Sequence, residues 1–156
     1  MENFSVIKDG KEYWISRSVA VACFVFKKLN KKWYVLANKR GSGTPDFQGY
    51  WNCPCGYLDY DETLEQAAMR EVKEECNIDI TDVKLVGVDS NPTSNRQNVT
   101  LRYMSIYEGN VMPSVGTGGE KDEVADAKWI PVSMIDQLQW AFNHNTIITE
   151  LSKQLK

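Results

Sequence analysis

The strongest pattern along the chain is an unbroken apolar run at residues 19–26, Val-Ala-Val-Ala-Cys-Phe-Val-Phe. It is far shorter than the roughly 20 residues a membrane span needs. Its β-branched and aromatic content predicts a buried strand. Upstream, two short runs at 4–8 and 12–16 flank Asp9-Gly10. Both central positions of a tight hairpin turn want positive φ, so this predicts a β-hairpin. Polar residues 27–32 lead into a second strand at 33–37. Residues 41–48 carry two glycines and Pro45 and form a loop, and residues 50–57 are extended with a break at Pro54. Further strands are expected at 83–89, 99–107 and 127–132. A polar loop at 90–98 and a Gly-rich stretch at 109–119, expected to be mobile, lie between them.

Two helices stand out. Thr63 lies three residues before Gln66, a capping box that opens a helix. Residues 64–76 hold no Gly, Pro or Thr and many strong helix formers. Asn77 stands where a left-handed C-cap residue is wanted. Ser133 and Asp136 mark a short helix, and residues 145–155 a longer one with Ile147, Ile148, Leu151 and Leu155 at helical spacing. Strands that outnumber helices in this order predict an α+β layered domain in which helices cover a mixed sheet. There is no internal repeat and no boundary, so residues 1–156 are expected to form a single domain.

Composition narrows the choices. A hydrophobic fraction of 42% with 25% charged residues excludes a disordered tail or a low-complexity linker. The net charge of −3 excludes a global basic field for extended nucleic acid. It leaves room for a phosphorylated small molecule, because local charge can oppose net charge. The four cysteines include no CxxC pair, and Cys53-Pro54-Cys55 has no second cluster to complete a zinc site. Cys53 and Cys55 share a strand face, which leaves a strained redox pair open. Reduced thiols of a cytoplasmic protein are the plainer reading. The N-terminus shows no basic start followed by an apolar stretch, and no membrane partner is expected.

The informative segment is the first long helix. At about 100° per residue, Leu64, Ala67, Ala68 and Glu71 share a stripe that Glu74 and Glu75 continue. Like charges at i,i+3 and i,i+4 cost around 0.2–0.5 kcal/mol each, and the last turn of a helix disfavours anions. Two readings follow from the helix alone. The face is solvated and balanced by Arg70 and Lys73, or divalent cations bind it. All-oxygen ligands suit Mg²⁺ or Mn²⁺.

Gly56, five residues, Glu62, seven residues, Arg70-Glu71-Val72, one residue, Glu74-Glu75, one residue, then Asn77-Ile78 resembles the Nudix box. That motif reads Gly-x5-Glu-x7-Arg-Glu-U-x-Glu-Glu-x-Gly-U, where U is a bulky aliphatic. Asn77 alone departs from it, and Asn tolerates the left-handed conformation that Gly serves there. The flanks agree: Trp51 and Pro54 lie upstream, and Trp129-Ile130-Pro131 lies near the end. Many members lead into the box with Pro-Gly-Gly, where this chain has Pro54-Cys55-Gly56.

The resemblance implies a Nudix-type mixed β-sheet sandwiched between helices, an α/β/α arrangement. It implies divalent-metal-dependent hydrolysis of a nucleoside diphosphate linked to another moiety, with water attacking phosphorus. Glu71, Glu74 and Glu75 would coordinate Mg²⁺, or Mn²⁺ in its place, with the Gly56 carbonyl as a further ligand. Arg70 would orient a helix glutamate, and Glu62 would support the loop. The base would be Glu71 or a loop glutamate, Glu120 or Glu123. Arg40 and Arg102 would meet phosphate, with Arg96 a further candidate, and Phe47 and Tyr57 would stack on a base. His144, the one histidine, sits before the last helix and suggests a capping or surface role. A nucleotide-binding Nudix-like sensor without turnover is the alternative, and a homodimer is left open.

Overall fold

The protein is described by a computed structural model that covers residues 2–116, 119 and 122–156. The chain runs β1 (Phe4–Lys8), β2 (Lys11–Ile15), β3 (Val19–Leu29), β4 (Lys32–Arg40), β5 (Trp51–Asn52), β6 (Cys55–Tyr57), α1 (Leu64–Cys76), β7 (Lys84–Asp89), β8 (Val99–Ile106), β9 (Val124–Pro131), a 3₁₀ helix (Val132–Gln137) and α2 (His144–Ser152). Strands β1 and β2 form their own two-stranded sheet, turned by Asp9 and Gly10 at φ 53° and 77°. The other seven form a mixed sheet with a path β5-β4-β3-β8-β7, while β6 adds to β3 and β9 to β4.

The apolar run lies at the centre of this sheet. β3 pairs antiparallel with β4 and β6 and parallel with β8. It is covered on both faces, which is why it lacks alternation. Ala22, Phe24 and Phe26 pack with Trp51, Cys53, Ile135, Trp140, Ile148 and Leu151, on the side of α2. Val21, Cys23 and Val25 point the other way, onto Ala67, Ala68, Val72 and Cys76 of α1. Burying Phe24 and Phe26 contributes about 1.5–3 kcal/mol each. The result is the expected sheet between helices. No helix among the described residues is long and apolar enough to cross a membrane.

Several boundaries differ from the sequence reading. Asn30 and Lys31, at φ 49° and 62°, close a two-residue turn between Leu29 and Lys32. The 27–32 connection therefore shrinks to a hairpin tip, and β4 extends to Arg40. The extended segment 50–57 splits at Cys53-Pro54, where β5 pairs with β4 and β6 with β3. β9 starts at Val124, and Val132 already belongs to the 3₁₀ helix. Part of the Gly-rich stretch is tied down: the Ser114 N–H caps the Cys76 carbonyl at 3.1 Å, and the Asn77 amide donates to Ser114 Oγ.

Candidate active site

α1 begins with the capping box of Thr63 and Gln66 and ends on Asn77 in the left-handed region at φ 55°. Between these caps it presents Glu71 and Glu75 as buried residues, 7% and 3% exposed. Glu75 Oε2 accepts from the Asn38 side-chain amide at 2.6 Å and from the Cys55 N–H at 3.1 Å. Glu71 lies against β6. A Cβ at Gly56 would overlap its carboxylate, so the box glycine is there for a close approach.

Arg70 organises the outer part of this face. Its Nε and Nη2 donate to the two carboxylate oxygens of Glu62 at 2.9 and 2.8 Å. Nη2 also donates to the Tyr57 carbonyl, and Nη1 to Glu71 Oε1 at 2.7 Å and Glu74 Oε2 at 3.0 Å. Glu62 in turn accepts the Asp59 N–H at 2.8 Å. Its carboxyl is held below the usual range, first by the Arg70 hydrogen bonds. Glu62 thus holds Arg70, and Arg70 holds Glu71 and Glu74. A planar fork suits that task better than an ammonium.

Burial works against charge deeper in the face. Desolvation, partly offset by Arg70, pushes the Glu71 carboxyl up to about 7. Glu75 is raised well above the usual value by desolvation and then by the charges of Glu71 and Glu123. An ionised pair here wants a counter-cation, and the donors are hard oxygens. The residues fit a divalent ion in that sense. Among the described residues, however, no three acidic, His or Cys side chains meet closely enough to hold one ion. Arg70 engages Glu71 and Glu74, and Glu75 is turned to Asn38 and Cys55.

This face forms one wall of a cavity of about 1150 Å³, into which Gly56, Arg70, Glu71 and Glu74 open. Arg40, Arg96 and Arg102 also line it. Asp46 accepts from Arg40 Nη2 at 2.8 Å and pairs with Arg96 at 2.9 Å. Glu123 lines the cavity too, and its backbone is pinned from the Arg40 side. The Gly41 N–H donates to the Glu123 carbonyl at 2.7 Å, and the Gly43 N–H to the Asp122 carbonyl at 2.8 Å. Glu120 lies outside the described residues. Phe47 and Tyr57 border the cavity, 45% and 47% exposed.

Phe142 and Asn143, which the sequence did not single out, line the cavity with His144, which it read as a capping or surface residue. The Phe142 ring stands 4.8 Å from the Arg40 guanidinium and 5.3 Å from Phe47. His144 is 4% exposed rather than a surface residue, and its Nδ1 accepts the Cys53 N–H at 2.9 Å. Desolvation, followed by the charges of Arg102 and Arg40, pushes its pKa down to about 3. The available signal was weak: a lone histidine after Trp140-Ala141-Phe142, at the start of an apolar helix.

Known proteins resemble this chain in sequence and in fold. An NAD-capped RNA hydrolase, NudC, of Vibrio atlanticus is 30% identical over 87 residues, 56% of this chain but only 30% of that protein. The chain therefore spans under a third of that relative's length. An ADP-ribose pyrophosphatase of Methanocaldococcus jannaschii is 30% identical over 148 residues, 92% of this chain and 79% of that protein. The NUDIX domain of Shewanella oneidensis NrtR, solved with ADP ribose, superposes with a TM-score of 0.78 at 23% identity, over 91% of this chain and 90% of that one. The box residues on α1 lie within residues 16–151, which match the family model described as NUDIX domain, and the chain belongs to the Nudix family.

Proposed function

We propose that this chain is a pyrophosphohydrolase that cleaves the diphosphate of a nucleoside diphosphate linked to another moiety, with ADP-ribose the first substrate to test. One observation carries the reading. Two buried carboxylates, Glu71 and Glu75, lie on one helix face, and Glu71 with Glu74 of that face lines an arginine-lined cavity. A solvated acidic face would have no such burial. The nearly full-length likeness to an ADP-ribose pyrophosphatase supports the choice of substrate.

Glu71, Glu74, Glu75 and the Gly56 carbonyl would hold a divalent ion, Mg²⁺ or Mn²⁺, which when bound polarises phosphoryl oxygens and offsets charge in the transition state. Glu74, which accepts from Arg70 at 3.0 Å, would exchange that contact for the ion. Arg70, fixed by Glu62, keeps Glu71 against Gly56. Arg40 and Arg102 take the diphosphate oxygens, with Arg96 beside them. Phe47 and Tyr57 offer ring faces to the nucleoside. The attacking water gives its proton to a carboxylate. The candidates are Glu71, whose carboxyl burial raises to about 7, and Glu123, which lines the same cavity. Removing a general base costs about 10²–10⁴ in rate. An E123Q variant that loses this much turnover with metal affinity intact assigns the base to Glu123. If E123Q stays active, Glu71 or Glu120 takes the role. The four free cysteines, three of them buried, accord with a cytoplasmic setting.

The test is phosphate release, coupled to a phosphatase, from ADP-ribose, sugar nucleotides, dinucleoside polyphosphates and oxidised dNTPs with Mg²⁺ or Mn²⁺. Turnover of at least one is expected. E74Q is expected to lose at least about 100-fold in turnover and to keep nucleotide binding. A second reading has its own observation: Arg70 already engages Glu71 and Glu74. A wild type that binds ADP-ribose and releases nothing with either metal is a sensor module instead.

A further inference from the structure

His144 is a buried, neutral imidazole whose second nitrogen has no hydrogen-bond partner among the described residues. Nδ1 accepts the Cys53 N–H, so in the neutral ring the proton sits on Nε2. No described group accepts it, yet the residue is 4% exposed and borders the cavity. The donor is not sealed off from the cavity, so a ligand there can supply its acceptor.

Its neighbours define what that ligand is. The Phe24 ring meets His144 edge-on at 5.2 Å from inside the core, and Phe142 lies at 5.6 Å on the cavity side. Phe142 is 37% exposed and Phe47 45% exposed, with ring centroids 5.3 Å apart. Phe142 and Asn143 both sit at φ 58°, an arrangement a bulky residue adopts only under constraint. Two aromatic faces beside a fixed N–H suit a flat heteroaromatic ring with a lone-pair acceptor. A phosphate is better served by the charged arginines than by a neutral imidazole. Position agrees: His144 lines the same cavity as Gly56 and Glu71.

We propose that His144, Phe142 and Phe47 form a nucleobase subsite, in which the His144 Nε2–H donates to an acceptor on the base and the two rings cover it. The proposal rests on the nucleotide reading above. It makes His144 a specificity-determining residue for the base.

Two substitutions separate recognition from structure. In His144→Asn the side-chain oxygen stands where Nδ1 stood and can keep the Cys53 contact, while the Nε2–H is lost. In His144→Gln the longer amide can place a donor near Nε2, while the Cys53 acceptor is lost. Calorimetry with AMP and with ribose 5-phosphate reads each variant. H144N is expected to weaken AMP binding about tenfold and ribose 5-phosphate binding less than twofold. H144Q is expected to stay within about threefold of wild type for AMP and to melt at lower temperature. The reverse pattern, with H144Q losing AMP and H144N keeping it, overturns the proposal. Equal loss for both ligands in H144N overturns the assignment to the base. Wild type that binds AMP but does not turn over ADP-ribose removes the proposed reaction and leaves the subsite standing. Turnover of ADP-ribose with an unchanged AMP constant in H144N does the opposite.

Discussion

At the scale of single residues, the box positions each have a local physical reason. Gly56 is glycine because Glu71 occupies the space of a side chain. Asn77 replaces glycine at a left-handed C-cap, and its amide reaches Ser114 Oγ at 3.1 Å. The substitution thus keeps the turn and adds a tether that glycine cannot make. N77G should stay within about 0.5 kcal/mol of wild type, since backbone relief offsets the lost exposed bond. N77A has neither compensation and should cost about 1–2 kcal/mol. Chemical denaturation of the three proteins checks the order, and an N77A as stable as N77G contradicts it. The position of Glu62 was visible in the spacing of the box, because the motif is local in sequence. His144 was not. Its burial depends on a distant join: the Trp51 N–H donates to the Gln139 carbonyl, the Ala141 N–H donates to the Trp51 carbonyl, and Cys53 is thereby brought to the imidazole. Nothing around residue 144 encodes that pairing.

At the scale of elements, strands and helices were legible wherever periodicity or caps spoke for themselves. The run at 19–26 gave β3, and the capping box gave α1. Edges were lost where tertiary pairing sets them. β4 reaches Arg40 because β9 pairs along it as far as Val124. That extension is what carries Arg40 to the cavity. The hairpin of β1 and β2 was also legible, but its isolation was not. It makes no ladder with the large sheet, and Ile7 and Trp14 are 79% and 68% exposed. Tyr13 of this hairpin meets the Tyr60 ring edge-on at 5.5 Å. A lone two-stranded ribbon is marginal in water. Hydrogen exchange followed by mass spectrometry should therefore show β1 and β2 exchanging by local opening. β3 and β8 should exchange only through global unfolding. Protection of residues 4–15 equal to that of β3 would show that the hairpin is stabilised by something beyond this chain's own contacts.

At the scale of the molecule, the site makes stability depend on pH in opposed directions. Glu71 titrates near 7 in the folded protein against 4.5 unperturbed, and Glu75 is shifted the same way. The native state keeps protons that the unfolded chain releases, so stability falls as pH rises from 4.5 through 7. His144 is the mirror case, near 3 folded against 6.5 unperturbed. There the unfolded chain takes the proton first, so stability is lost as pH falls below 6.5 toward 3. Glu62, depressed by Arg70, adds to the acid side, since its contribution is present above 4.5 and is lost as that carboxylate protonates. Between 4.5 and 6.5 the opposed slopes partly cancel. In EDTA the melting temperature should therefore be highest in that window and decline on both sides. Saturating Mg²⁺ should flatten the alkaline limb, because an ion that binds only ionised carboxylates adds more stability as pH rises. E71Q should flatten the same limb in EDTA and blunt the response to Mg²⁺. A melting temperature that climbs from pH 6 to pH 8 in EDTA, or an E71Q limb as steep as the wild type's, would show that the buried carboxylates are not what the alkaline side of the curve measures.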